Sequence, residues 1–315
     1  MIELETAKRW LEKLDEIGLS YRANESTMDQ AKEEFESFKP KFLELQETAA
    51  ANSNTSLEWA AICSEMPVAL RGADQLFLSM EERRKWLADA GNAVGRLPDE
   101  DSKGYCLGSL ANLYTDRGDH QKALTFFRQR LEIAKQLGQE KAIVRSALNI
   151  GNTLLRLNQL PEARQQLHES LRMASSLQLK QDEARILNSL AIVAMRMKKP
   201  GLTVSLAARR LRVLKKANDQ TQLASGHGNL GGWLVELGRF DEAQEHLNQA
   251  LVLHRRNGSL LGQSQVIAKM AQLEEDRGNK ELGIEMMQSA ANIAKGAGAE
   301  EQWRDCLSEI ERMRR

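Results

Sequence analysis

Ser109-Leu110-Ala111-Asn112-Leu113-Tyr114, followed by Gly118, Ala123 and Phe127, is the stretch that decides the fold. Its small residue returns every 40 positions as Ala111, Gly151, Ala191, Gly231 and Ala271, with no slippage over five copies. The residue before it is large and apolar each time: Leu110, Ile150, Leu190, Leu230 and Met270. Twelve positions after it stand Ala123, Ala163, Thr203, Ala243 and Gly283. Phe127, Leu167, Ala207, Leu247 and Met287 come four later, then Leu131, Leu171, Leu211, Leu251 and Ala291. Small residues let two helices approach closely, and apolar residues at helical spacing fill the seam to the next pair.

A short polar turn separates the two helices of each copy: Arg117-Gly118-Asp119, Asn158-Gln159, Lys199-Pro200-Gly201, Leu237-Gly238-Arg239 and Arg277-Gly278-Asn279. Glycine or asparagine there supplies the left-handed residue that ends a helix. No stretch alternates apolar and polar with β-branched enrichment, so no strands are expected. The class is all-α, built from stacked antiparallel helix pairs.

Composition agrees. Hydrophobic residues make up 42% of the 315 positions, enough to bury a core. Five prolines against 28% charged residues suit long helices. Lys and Arg number 44, as do Asp and Glu, which argues against a large nucleic-acid footprint. Cys63, Cys106 and Cys306 are widely spaced, so neither a zinc site nor a disulfide framework is indicated. The opening Met-Ile-Glu-Leu-Glu lacks the pattern of a secretory signal, and the longest apolar run, Leu190 to Met195, is far too short for a membrane span. The expected setting is soluble, reducing and cytoplasmic.

The register resembles the tetratricopeptide repeat family. The carrying stretches are Ser109–Tyr114 through Gly118, Ala123 and Phe127, and Asn229-Leu230-Gly231-Gly232 through Gly238, Phe240, Asp241-Glu242-Ala243 and Ala250-Leu251. The resemblance covers about residues 103–295 and implies a right-handed superhelical α-solenoid of antiparallel helix pairs. The period is 40 rather than the usual ~34. The simplest account of the difference is about one extra turn shared over both helices, plus a longer connection. Such long repeats are similar to those of kinesin light chain, the Pins/LGN polarity adaptors and bacterial STAND sensor arrays. The third copy is degenerate, with Pro200-Gly201 and Thr203 replacing an acid and alanine. HEAT and armadillo arrays share the period, but the Ala-x-x-x-apolar register fits the tetratricopeptide pattern better.

This reading divides the chain into an N-terminal helical region (1–98), five repeats (99–298) and a closing helix (299–315). Within the first region helices are expected at 3–17, 27–51, 56–72 and 80–95. Asn24-Glu25-Ser26-Thr27 and Asn52-Ser53-Asn54-Thr55-Ser56 supply breaks between them, and Leu97-Pro98-Asp99-Glu100-Asp101 marks the boundary with the repeats. The region reads equally as decayed repeats or as a separate bundle. In the closing helix Trp303, Leu307, Ile310 and Met313 share one stripe.

Catalytic signatures are missing. Gly226-His227-Gly228-Asn229-Leu230-Gly231 matches G-x-G-x-x-G, but no strand precedes it and no acid follows at the required distance. There is no P-loop, no H-E-x-x-H and no G-x-S-x-G. The expectation is a non-enzyme without cofactor or metal.

In the tetratricopeptide family the first helix of each pair lines a concave groove. The resemblance then places Asn112, Arg145, Asn149, Asn152, Arg156, Arg185, Ser189, Arg196 and Asn229 on that face, because a 4-3-4 spacing keeps side chains on one stripe. Asparagine amides can pair with both groups of an extended peptide backbone. The four arginines favour acidic side chains or a terminal carboxylate. The expected partner is therefore a protein or an extended, partly acidic peptide running across repeats one to four, not nucleic acid or membrane. Trp233 and Trp303 offer a route to self-association. The function implied is an adaptor or scaffold. A second plan, similar to bacterial peptide receptors of the Rap type, would make residues 1–95 an effector surface.

Overall fold

The computed structural model describes residues 2–23, 25–70, 77–97 and 100–315. The helix break expected at Asn24 and the boundary residues Pro98 and Asp99 lie outside them. The described residues form helices and no strand. The chain divides into two compact units, residues 1–159 and 160–315.

The first unit opens with α1 (Leu4–Ala23), α2 (Glu25–Asn52), α3 (Leu57–Ala69) and α4 (Met80–Ala93), followed by a 3₁₀ turn at Val94–Arg96. Ser56 caps α3, and Ser79 and Glu82 form a reciprocal capping box on α4. Helices α1, α2 and α3 pack on one another around a dry aromatic cluster. Phe35 stacks on Phe77 with centroids 4.5 Å apart, and Phe42 lies 5.5 Å from Phe35. Gly18 lets α1 touch the end of α3, since a Cβ there would fall 2.2 Å from the Ala69 carbonyl oxygen. Trp86 of α4 is buried against the same core.

The unit continues with α5 (Glu100–Asp116), α6 (His120–Gln136) and α7 (Glu140–Arg156), each packed on the next. The second unit comprises α8 (Leu160–Ser176), α9 (Lys180–Arg196), α10 (Pro200–Ala217), α11 (Gln220–Glu236), α12 (Phe240–Arg256), α13 (Leu260–Asp276), α14 (Lys280–Gly296) and α15 (Glu300–Arg314). Here too each helix packs on its successor, and α11 also touches α13, as α13 touches α15. The small residues of the register are buried: Ala111, Ala191 and Ala271 are fully enclosed. Trp303 and Leu307 pack partly buried, and Ile310 and Met313 fully buried, against α13 and α14.

The 40-residue period resolves into two halves. Left-handed residues fall every 20 positions, at Gly118, Gly138, Asn158, Gln178, Lys198, Asn218, Gly238, Gly258, Gly278 and Gly298. Behind each, the next amide returns to a carbonyl five residues back, as Asp119 to Tyr114 at 3.0 Å and Leu179 to Ala174 at 2.9 Å. Nine of the ten repeat helices have 17 residues, α10 has 18, and the turns are uniformly short. The longer connection expected from the period is therefore absent, and the extra length is helical. In the third copy Lys198, not Gly201, ends the helix. Pro200 and Gly201 already belong to α10, with proline at its first turn, where its missing donor costs nothing.

Candidate functional site

The first helix of each repeat pair buries one face and presents the other. On α7, Val144, Ala147, Leu148, Ile150 and Leu154 are buried. Opposite them Arg145 and Arg156 are exposed, and Asn149 and Asn152 are half-buried. On α5 Asn112 is exposed; on α11 Asn229 is half-buried. On α9 Arg185 and Arg196 are exposed. Ser189 behaves differently: it is only 6% accessible, and its hydroxyl donates to the Arg185 carbonyl oxygen at 3.3 Å. Its neighbour Asn188 takes the half-buried place.

In the first unit a cation from a second helix joins this face. Arg130 of α6 folds across Gly108 of α5, where a Cβ would fall 2.8 Å from three of its side-chain atoms. Burial, and then the charge of Arg145, pull the Arg130 pKa down. No described carboxylate forms an ion pair with Arg130. The stripe rule misses this residue because it considers only first helices. The signal available in sequence was the pair Gly104 and Gly108, which leaves a trough in α5.

In the second unit the face is cross-linked. Asn229 Nδ2 donates to Asn188 Oδ1 at 3.2 Å. Lys269 Nζ of α13 donates to Asn229 Oδ1 at 3.2 Å and to the Gly228 carbonyl oxygen at 3.1 Å. Each amide group of Asn229 thus has one interaction spent and one left over. Lys269 is deeply set, and burial lowers its pKa against the opposing pull of Glu236. It lines a cavity of about 420 Å³ with Gln265, Gln272, Gln302, Asp305 and Glu309.

Between α11 and α12, His227 Nδ1 lies 2.9 Å from His246 Nδ1. One ring must donate and the other accept, so the two cannot both be protonated at these nitrogens. Burial pushes His227 down to about 4 and lowers His246 as well. The Gly226–Gly231 motif lies inside α11, with no phosphate-cradling loop. Its glycines serve packing: a Cβ on Gly226 would meet Leu211 at 2.8 Å, and one on Gly231 would meet Leu247 at 2.7 Å. All three cysteines are buried and free, and burial pushes the Cys63 thiol up to about 12. Among the described residues no three His, Cys, Asp or Glu side chains converge to hold a metal. No helix among them is long and apolar enough to cross a membrane.

Near-equal helices joined by short left-handed turns, with small residues at a fixed register, define a helical-repeat protein. Residues 105–176 match the family model described as Tetratricopeptide repeat, and the same register runs on to residue 298. That stretch carries tetratricopeptide repeats, and the described helices up to residue 296 continue the same plan of paired helices. No curated protein matches it in sequence. Among solved structures it is similar to aspartyl phosphate phosphatase F from Bacillus subtilis, at 12% identity and a TM-score of 0.66. That match covers 100% of this chain and 95% of the other. It is also similar to BtubC (BKLC) from P. vanneervenii, at 18% identity and 0.57, covering 78% and 93%. A Rap protein complexed with competence and sporulation factor matches at 12% and 0.53, covering 99% and 98%. At these identities the likeness is one of fold.

Proposed function

We propose that the chain is a non-catalytic protein-binding scaffold whose first-helix faces take an extended, acidic segment of a partner. The observation that carries this reading is Arg130 beside Arg145. A half-buried guanidinium with which no described carboxylate forms an ion pair is costly by itself and is relieved by an anion. Asn149 and Asn152, half-buried one and two turns along α7, stand where a peptide backbone would need donors and acceptors. On the second unit the exposed Arg185 and the spare capacity of Asn229 offer similar chemistry. Ser189 drops out as a ligand group, because its hydroxyl is spent on its own helix. Three free buried thiols suit a reducing, cytoplasmic setting.

The test is capture of partners from source lysate by the wild type and by Arg145→Ala, Arg185→Ala and the double variant, with mass-spectrometric identification. Partners lost from the variants while helicity is kept support the reading. Identical partners in all four refute it.

A second reading, a regulatory peptide receptor, is favoured by one observation. The Bacillus subtilis structure covers the whole chain, including α1–α4 with their separate aromatic core. In that case α1–α4 would be an effector surface, and ligand would shift a pre-existing equilibrium. A change in solution scattering on adding a captured peptide would favour the receptor. An unchanged profile would leave the scaffold.

A further inference from the structure

Residues 180–219 hold ten lysines and arginines against three carboxylates, in a chain whose formal charge is zero. Arg185 and Arg196 account for only part of that excess. A second group lies elsewhere, where the end of α8, the start of α9 and the last turns of α10 meet. There Lys180, Arg209, Arg212 and Lys216 line a cavity of about 390 Å³ together with Ser175 and Glu183. Arg209 Nη2 holds Glu183 Oε1 at 2.7 Å and approaches Ser175 Oγ at 3.4 Å. Glu183 thereby spends its charge on Arg209. Lys180, Arg212 and Lys216 are exposed, and no described carboxylate forms an ion pair with them.

This surface is distinct from the face carrying Arg185 and Arg196. Lys180 and Glu183 fall off the 185–189–192–196 stripe of α9, and the other cations sit on the second helix of the pair. Arg209, Arg212 and Lys216 are spaced three and four apart, which makes one row about 10 Å long on α10. An extended peptide sets its same-side side chains about 6.6 Å apart. Two carboxylates at alternate positions therefore match Arg212 and Lys216, one turn or about 6 Å apart, whereas a single small anion would engage only part of the row. No Phe, Tyr or Trp occurs between Phe127 and Trp233. The surface thus lacks the aromatic platforms on which single-stranded nucleic acid stacks.

From this we infer that the α8–α9–α10 pocket docks an acidic peptide segment of a partner protein, with carboxylates at alternate positions, as a second recognition surface independent of the first-helix face. Arg209 is fixed by Glu183 as the floor of the pocket. Lys180, Arg212 and Lys216 supply the charges that meet the ligand. Exposed pairs of this kind are individually weak, and a row of them gains from acting together.

The experiment is fluorescence anisotropy with a labelled peptide of alternating Glu and Ser, titrated with the full chain. Arg212→Glu/Lys216→Glu should weaken binding about tenfold or more, since each reversal removes one attraction and adds one repulsion. Arg212→Gln/Lys216→Gln should fall between, and the same reversal at the exposed Arg255 and Arg256 of α12, Arg255→Glu/Arg256→Glu, should leave binding near the wild-type value. Raising salt from low to physiological ionic strength should weaken the complex. Both substituted positions are exposed, so helicity by circular dichroism should not change. Binding unaffected by the charge reversal at Arg212 and Lys216, or weakened equally by the reversal at Arg255 and Arg256, overturns the proposal. Displacement of the peptide by equimolar inorganic phosphate would make the pocket a small-anion site. Displacement by a lower concentration of single-stranded RNA would make it a nucleic-acid surface. Either result also overturns it. Failure here leaves the first-helix reading standing, because the two surfaces share no substituted residue.

Discussion

Gly231→Ala puts a single methyl group into the seam between α11 and α12. Its Cβ would stand 2.7 and 2.8 Å from Leu247 side-chain carbons and 3.3 Å from the Ala243 carbonyl oxygen. Leu247 is fully buried, so it cannot swing aside without moving Leu230, Leu234 and Ala250 in the same cluster. Overpacking of this kind costs about 1–3 kcal/mol. Replacing glycine by alanine inside a helix gains about 1 kcal/mol in the opposite sense. The net expectation is a loss of about 1 kcal/mol. Gly296→Ala is the control, because nothing lies within 4 Å of a Cβ there. It should give the propensity gain alone, tempered by its place in the last turn of α14. Repeat arrays need not unfold in one step, so a local probe is required. Trp233 belongs to the same cluster, and with the other four tryptophans replaced by phenylalanine its fluorescence during urea unfolding reports on this seam. Trimming Leu247 to Ala in the Gly231→Ala background should cost less than trimming it alone, since the added methyl fills part of the space vacated. If Gly231→Ala stabilises as Gly296→Ala does, the small-residue register does not mark close helix approach, and the packing argument fails.

Two further outcomes are expected. Gln178 and Lys198 hold φ of 53° and 56° without being glycine, so Gln178→Gly and Lys198→Gly should each stabilise the array by about 1 kcal/mol, read as a higher urea midpoint; a loss in both would mean that their side chains contribute more than the strained backbone costs. Burial lowers the pKa of His227, His246 and His254, so below the ordinary histidine value of about 6.5 the unfolded chain takes up more protons than the folded one. Stability of the second unit is therefore full above pH ~6.5 and falls steadily towards pH 4, and Trp233-monitored unfolding of His227→Asn/His246→Asn should show a flatter pH profile over that window; an unchanged slope would refute the lowering of the His227 and His246 pKa by burial.

The 40-residue register, the all-helical class and the buried stripe of the last helix were legible in sequence, because each depends on local helical spacing repeated along the chain. The N-terminal helices were legible in outline, though α1 runs on to Ala23 where the expected helix ended at residue 17. Gly18 serves the approach of α1 to α3, which no local rule reports. The 20-residue half-period was hidden because four of its left-handed positions are Asn158, Gln178, Lys198 and Asn218, and a run of Gln or Lys does not announce a helix end. The same blindness placed the third turn at Gly201 instead of Lys198.

Of the nine positions the sequence set on one stripe, all but Ser189 are exposed or half-buried, and the contacts between them were not legible. The sequence put Ser189 in reach of a ligand, whereas one residue of helical rotation buries Ser189 and brings Asn188 to Asn229. It passed over Arg130, whose place depends on a trough in a neighbouring helix. The sequence by itself determined which residues repeat, where helices lie and which side of each is apolar, since these follow from contacts three and four residues apart. Only the tertiary structure decided that Lys269 reaches back 40 residues to Asn229, or that Lys180 and Lys216 share one pocket. Such contacts depend on how far neighbouring helices rotate and how closely they approach, and those are fixed by side-chain volumes on several helices at once.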